Sequence, residues 1–109
     1  MNIIKKLEKI IKKRKKEMNF KNSYIASVFY RKNNYILRKI SEETLELILE
    51  VKDYIKNKKN KKFIIHECAD LLFHILILLS NFNINFKEIL KELKKRENIS
   101  GIEEKKNRK

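Results

Sequence analysis

Phe63-Ile64-Ile65-His66-Glu67-Cys68-Ala69-Asp70-Leu71-Leu72-Phe73-His74-Ile75-Leu76-Ile77-Leu78-Leu79 is the stretch that decides how this chain is read. It contains no helix breaker and reads as a helix over about 62–81, apolar almost all round. A helix of that kind is central in a bundle or buried at an oligomer interface. Glu67 and Asp70 interrupt it. A carboxylate is costly to bury unless a cation or hydrogen-bond donors meet it, and a spacing of three residues sets both on one helix face.

Some twenty residues earlier stands a second acidic signature, Glu42-Glu43-Thr44-Leu45-Glu46. It falls in the middle of a long helix expected from about Tyr35 to Lys56, with Ile36, Leu37, Ile40, Leu47, Ile48 and Val51 as the apolar side. Glu42 or Glu43 shares a face with Glu46. An isolated motif of this form usually pairs with surface lysines, but the acidic pair in the apolar helix changes the balance. Packed side by side, the two helices aim four or five carboxylates at one spot, and each close pair repels by roughly 1–4 kcal/mol at about 4 Å. A divalent cation resolves that conflict, and all-oxygen ligation suits Mg²⁺, or Mn²⁺, rather than zinc. A metal held this way points to phosphoryl or nucleotidyl chemistry. Lys39, one turn before Glu43, is placed to contact phosphate. His74 reads as a satisfied core histidine, with a hydrogen bond to a ligand carboxylate as the alternative. His66 is assigned no role.

The remaining chain completes an all-α bundle of four to five helices in one domain over residues 1–109. Ile3, Ile4, Leu7, Ile10 and Ile11 recur at helical spacing over residues 2–17. Ser23 caps a short helix carrying Tyr24, Ile25, Val28 and Phe29. The chain turns at Arg31 to Asn34, runs through a charged connector from Asn57 to Lys62, and turns again at Asn81 to Asn85. A fifth helix is expected from Phe86 to Glu97, before a tail that holds the only glycine, Gly101; there is no proline.

Net charge is +14, with 28 Lys and Arg against 14 Asp and Glu. The lysines are spread over the whole chain among many asparagines and isoleucines, which reads as compositional bias rather than a shaped groove, so no specific nucleic-acid partner is expected. The same field steers a small polyphosphate toward the protein. Cys68 stands alone, so no internal disulfide forms; it reads as a small buried filler in a protein of the reducing cytoplasm. No membrane role is expected: no segment reaches the ~20 apolar residues needed to cross a bilayer, Leu71 to Leu79 being too short and containing His74, and the first helix has a narrow apolar stripe without Trp or Phe. The N-terminus alternates apolar residues and lysine with no small-residue cleavage site.

Taken together, the motifs resemble those of the MazG-like superfamily of all-α nucleoside triphosphate pyrophosphohydrolases, and within it the phosphoribosyl-ATP pyrophosphatase family. Ser23-Tyr24-Ile25-Ala26-Ser27 is similar to that family's S-Y-T-A-S opening, and Ile36 to Glu43 to its I-L-x-K-x-G-E-E segment. Glu67 to His74 resembles E-x-A-D-L-x-Y-H, and Ser100 to Lys105 resembles S-G-I-E-E-K, with Arg108 fitting the arginine that follows. The similarity spans about Ser23 to Arg108, and its tail is the most specific part. Ser41 stands where the family usually has glycine, Thr44 where alanine is common, and Asn98-Ile99 replaces Gly-Thr.

The resemblance implies Mg²⁺-dependent hydrolysis of 1-(5-phosphoribosyl)-ATP to 1-(5-phosphoribosyl)-AMP and pyrophosphate, the second step of histidine biosynthesis. It implies Glu43, Glu46, Glu67 and Asp70 as metal ligands, with Glu42 as a further ligand or orienting the water. Lys39 contacts phosphate in that scheme, with Arg96, Lys105 and Arg108 as further phosphate-binding candidates. It also implies a homodimer or larger homo-oligomer, in a stand-alone form rather than fused to a cyclohydrolase domain. Two rivals stand beside it. A housekeeping pyrophosphohydrolase of the same superfamily shares the ligands, whereas a basic RNA-binding helical module leaves the acidic pair unexplained.

Overall fold

A computed structural model describes residues 2–58 and 60–97. The described residues form five helices and no strand: α1 (Ile3–Glu17), α2 (Tyr24–Tyr30), α3 (Lys32–Asn57), α4 (Lys62–Asn81) and α5 (Phe86–Lys94). The tail with Ser100 to Lys105 and Arg108 lies outside the described residues.

Side-chain caps set the starts of three helices. Asn2 accepts from the Lys5 N–H at 2.9 Å, and Ser23 accepts from the Ala26 N–H at 3.2 Å. At α5 the Asn85 N–H donates to Glu88 Oε2 at 2.9 Å. A further tie there comes from α1, where Glu8 accepts from the Phe86 N–H at 2.7 Å. This reciprocal bonding satisfies donors that the first turn leaves without intrahelical partners.

The turn expected at Arg31 to Asn34 is shorter in the structure. A single residue, Lys32 at φ 69°, breaks the direction, and Asn33 and Asn34 already belong to α3. At the other end α5 stops at Lys94, three residues before the expected boundary. Lys58 closes α3 in the left-handed region at φ 48°, its N–H donating to the Tyr54 carbonyl at 2.7 Å.

The short connector forces α3 and α4 to run antiparallel, and they share the most extensive helix pairing in the molecule. Their register is readable from the polar side chains: Asn81 donates to Asn33 at one end, and Glu43 and Glu46 interact electrostatically with Asp70 and Glu67 further along. The core is built where α1, α2 and the C-terminal part of α4 converge on the start of α3. Ile11, Val28, Ile36, Leu76 and Ile77 are buried there, with Ala26 enclosed as well.

Several sequence expectations are corrected by this packing. Leu37 and Ile48, placed on the apolar side of α3, are exposed, as are Leu45, Leu49 and Ile55. Cys68, expected as a buried filler, is exposed because α4 is covered by α3 and α1 on only part of its circumference. Phe63, Ile65 and Leu72 are exposed for the same reason. Against the expectation that no segment is long and apolar enough to cross a bilayer, α4 taken whole is so, by length and composition alone. Its His66, Glu67, Asp70 and His74 nevertheless face polar partners, and its C-terminal half supplies the core.

Candidate active site

Midway along the α3–α4 pair, the register brings the two acidic signatures together. On α3, Glu43 and Glu46 are one turn apart; on α4, so are Glu67 and Asp70. Glu43 interacts with both Asp70 and Glu46, and Glu67 with both Glu46 and Asp70. These interactions link four carboxylates electrostatically, two from each helix, while among the described residues His66, Glu67 and Asp70 are the group whose ligand atoms all lie within 4.8 Å of one another.

The cluster is electrostatically loaded. Glu43 is only 4% exposed. Burial pushes its pKa up, opposed by His74 and then reinforced by the charge of Asp70. Enclosure likewise raises the Glu67 carboxyl, with a hydrogen bond to Glu46 and the charges of Glu46 and Asp70 adding in the same direction. Glu43 Oε1 and Glu67 Oε2 are buried without an aligned hydrogen-bond partner among the described residues. For Glu43, the buried residue of the two, an acceptor left in this state costs about 1–3 kcal/mol unless something occupies it.

His74, 5% exposed, supplies the contact beside Glu43. Its Nδ1 lies 2.6 Å from Glu43 Oε1, outside hydrogen-bond alignment, and 3.0 Å from the carbonyl oxygen of Asp70. The opposite nitrogen, Nε2, lies 2.5 Å from the Tyr24 hydroxyl of α2. Burial, and then the neighbouring Tyr35, raises the pKa of that phenol, which keeps it a donor. The sequence reading favoured a core histidine; the structure makes His74 buried and in contact with the acidic cluster at once.

His66, to which the sequence reading gave no role, stands at the rim with Nε2 3.2 Å from Asp70 Oδ2. Ligand atoms of His66, Glu67 and Asp70 lie within 4.8 Å of one another. The missed signal was the spacing of four between His66 and Asp70, which places them on one face. A cavity of about 340 Å³ lined by Lys62, Phe63 and His66 opens on this side.

The other sequence candidates fall differently. Glu42 is half-exposed and paired with Lys39 at 3.7 Å and Arg38 at 3.9 Å, so the geometry sets it beside two cations rather than among the four carboxylates. Lys39 is partly buried and electrostatically coupled to Glu43, so it belongs to the rim of the cluster. Arg96 follows α5 and lines a cavity with Leu93, Lys94 and Glu97, none of them in the cluster. Lys105 and Arg108 lie outside the described residues. Another cavity, about 650 Å³ among Lys12, Lys13, Lys15, Lys16, Ser80 and Asn83, is lined by no carboxylate and sits at the far end of α4. Ser80 is ten residues beyond Asp70 on that helix, roughly 15 Å along its axis.

The all-α bundle with two facing acidic helices agrees with the MazG-like superfamily of all-α pyrophosphohydrolases, the class that includes the family matched below. More narrowly, residues 4–97 match the family described as phosphoribosyl-ATP pyrophosphohydrolase, and the chain belongs to that family. It is a hydrolase.

Relatives named phosphoribosyl-ATP pyrophosphatase agree over most of the length. The protein of Janthinobacterium sp. (strain Marseille) is 44% identical over 87 residues, 80% of this chain and 76% of its own. That of Hydrogenovibrio crunogenus is 41% identical over 109 residues, 98% of this chain and 93% of its own. That of Vesicomyosocius okutanii is 42% identical over 106 residues, 97% of this chain and 95% of its own. No solved structure matches the chain significantly.

Proposed function

We propose that this protein hydrolyses 1-(5-phosphoribosyl)-ATP to 1-(5-phosphoribosyl)-AMP and pyrophosphate, the second step of histidine biosynthesis, in the cytoplasm and as a single catalytic domain. The family membership and the relatives' names support the reaction and substrate. The observation that carries the site is the pair of buried carboxylate oxygens, Glu43 Oε1 and Glu67 Oε2, without aligned donors inside a four-carboxylate cluster. An oxygen-only donor set with surplus negative charge fits a hard divalent cation. Glu43, Glu46, Glu67 and Asp70 would hold Mg²⁺, or Mn²⁺ in its place. Bound there, the ion supplies charge neutralisation at the phosphates and a water made more acidic.

The chain's own side chains do the rest. Lys39, partly buried at the rim, offers its ammonium to a phosphate oxygen, exchanging its exposed pairing with Glu42 for a charge-assisted hydrogen bond. Glu42, which pairs outward with Lys39 and Arg38, would have to turn from both cations to orient the attacking water. Lys62 and His66 border the cavity next to the cluster and face the same polyanion. Arg96, Lys105 and Arg108 contribute to holding the substrate's other phosphates. The +14 net charge raises the encounter rate with such a ligand.

The assembly is a homodimer or a larger homo-oligomer. Its support is the exposed apolar side chains on α3 and α4, namely Leu45, Ile48, Leu49, Phe63 and Ile65, beside the two acidic signatures. An apolar surface of that kind on a chain so rich in lysine is relieved by a second copy.

The reaction is tested by measuring pyrophosphate release from phosphoribosyl-ATP, ATP and a panel of dNTPs, with and without Mg²⁺. Mg²⁺-dependent release from phosphoribosyl-ATP alone is the expected result. Preferential turnover of the dNTPs would overturn the substrate and make the protein a housekeeping pyrophosphohydrolase with the same ligands.

A further inference from the structure

We infer that His74 and Tyr24 are positioning residues: the His74 ring, oriented by the Tyr24 hydroxyl, wedges between the Glu43 carboxylate and the Asp70 backbone and fixes two metal ligands from different helices in one geometry. The inference rests on the metal reading above and concerns two residues outside the ligand set.

The imidazole has two polar edges. Nδ1 meets two acceptors, the Asp70 carbonyl oxygen at 3.0 Å and Glu43 Oε1 at 2.6 Å, so the proton belongs on Nδ1. With that proton on Nδ1, Nε2 is the nitrogen that meets the Tyr24 hydroxyl, at 2.5 Å. Each nitrogen has a partner suited to it, so the tautomer and the ring plane are fixed together. The Nδ1–H is aligned on the Asp70 carbonyl, and Glu43 Oε1 lies against the same nitrogen off that axis.

One ring thus touches the side chain of an α3 ligand and the backbone of an α4 ligand. The third element is α2, which the sequence gives no acidic residue at all. Tyr24 is its first helical residue, held in place by the Ser23 cap, and its ring meets His74 edge-on at 5.6 Å and stacks toward Phe73 at 6.5 Å. Through that contact, α2 limits where Glu43 can rest before any ion arrives. Support from outside the ligand set commonly governs metal affinity in this manner.

The test is calorimetric titration of Mn²⁺ into the full chain, for wild type, Tyr24→Phe, His74→Gln and His74→Asn, with thermal unfolding of each in the absence of metal. His74→Gln, whose amide reaches the Nε2 position but leaves Nδ1 empty, is expected to weaken Mn²⁺ binding by about 10–100-fold. His74→Asn restores a donor at the Nδ1 position and recovers part of the loss. Tyr24→Phe keeps the ring and removes only the hydroxyl, and is expected to weaken binding by about 10-fold, the low end of that range.

A purely structural histidine predicts lowered unfolding temperatures with Mn²⁺ affinity unchanged. Dissociation constants for Tyr24→Phe and His74→Gln within about twofold of wild type, far below the loss such support residues produce, would overturn the inference. If His74→Gln fails to fold, Tyr24→Phe decides by itself. If wild type binds no Mn²⁺, the metal reading falls and the inference with it. If wild type binds and Glu46→Gln abolishes binding while the Tyr24 and His74 variants retain it, the metal reading stands and the inference alone falls.

Discussion

Replacing Glu43 by glutamine is the perturbation that separates the cost of this site from its use. The side chain keeps its shape, and the new Oε1 remains beside His74. The negative charge at a position 4% exposed is lost, together with its repulsion from Asp70 and Glu46. Without metal the variant is expected to be at least as stable as wild type, because an ionised acceptor lacking an aligned partner costs about 1–3 kcal/mol.

The pH dependence has a definite sign. The folded-state pKa of Glu43 is raised above its ordinary value of 4.5, chiefly by burial. The native state therefore binds more protons than the unfolded chain in the interval between those values. Metal-free stability from this group is fully present below 4.5 and is lost as pH climbs through the raised native value. The glutamine variant lacks that loss, so its advantage over wild type grows as pH rises from the ordinary carboxylate range.

With metal the order reverses. Mg²⁺ at a hundredfold over its dissociation constant stabilises wild type by about 2.7 kcal/mol, roughly 10–20 °C in unfolding temperature for a domain near this size. A 100-fold loss of affinity in the variant leaves about 0.4 kcal/mol, or roughly 2–3 °C. The assay is differential scanning fluorimetry of both proteins from pH 5 upward, with and without Mg²⁺. A variant less stable than wild type without metal, yet equally stabilised by Mg²⁺, would refute the reasoning.

Glu46→Gln is expected to abolish turnover and leave the far-ultraviolet circular dichroism of the helices intact; a wild-type rate would remove Glu46 from the ligand set. Lys39→Ala is expected to raise KM for phosphoribosyl-ATP more than it lowers kcat, and unchanged kinetics would remove it as a phosphate contact. Ile77→Ala, at a side chain 1% exposed in the core, is expected to lower stability by about 2–5 kcal/mol in a denaturant titration. Lys58→Gly is expected to raise stability by up to about 1 kcal/mol, because Lys58 holds a left-handed φ of 48° that glycine adopts without a Cβ clash.

The two acidic signatures stood out in the sequence because a carboxylate pair inside the apolar run from Phe63 to Leu79 conflicts with burial; in the fold that part of α4 is only partly covered, and the Asp70 side chain is 40% exposed. Helical periodicity located all five helices, and local capping chemistry at Ser23 located the start of α2. Exposure was less legible. Leu37, Ile48 and Cys68 sit in patterns that look buried, and the packing of one chain leaves them open. Hydrophobicity shows which residues gain from leaving water, but not whether the same chain covers them.

The sequence by itself determined the helices, the acidic pairs and the family, since each depends on residues close together in the chain. Tertiary structure alone decided which carboxylates meet. The antiparallel register set Glu43 and Glu46 opposite Asp70 and Glu67, while Glu42, one residue from Glu43, turned outward to Arg38 and Lys39. It also drew in Tyr24, fifty residues from His74, and His66 at the rim. A helix advances about 100° per residue, so neighbours in sequence part company on its surface. Only the packing of a second helix fixes which of them face the site.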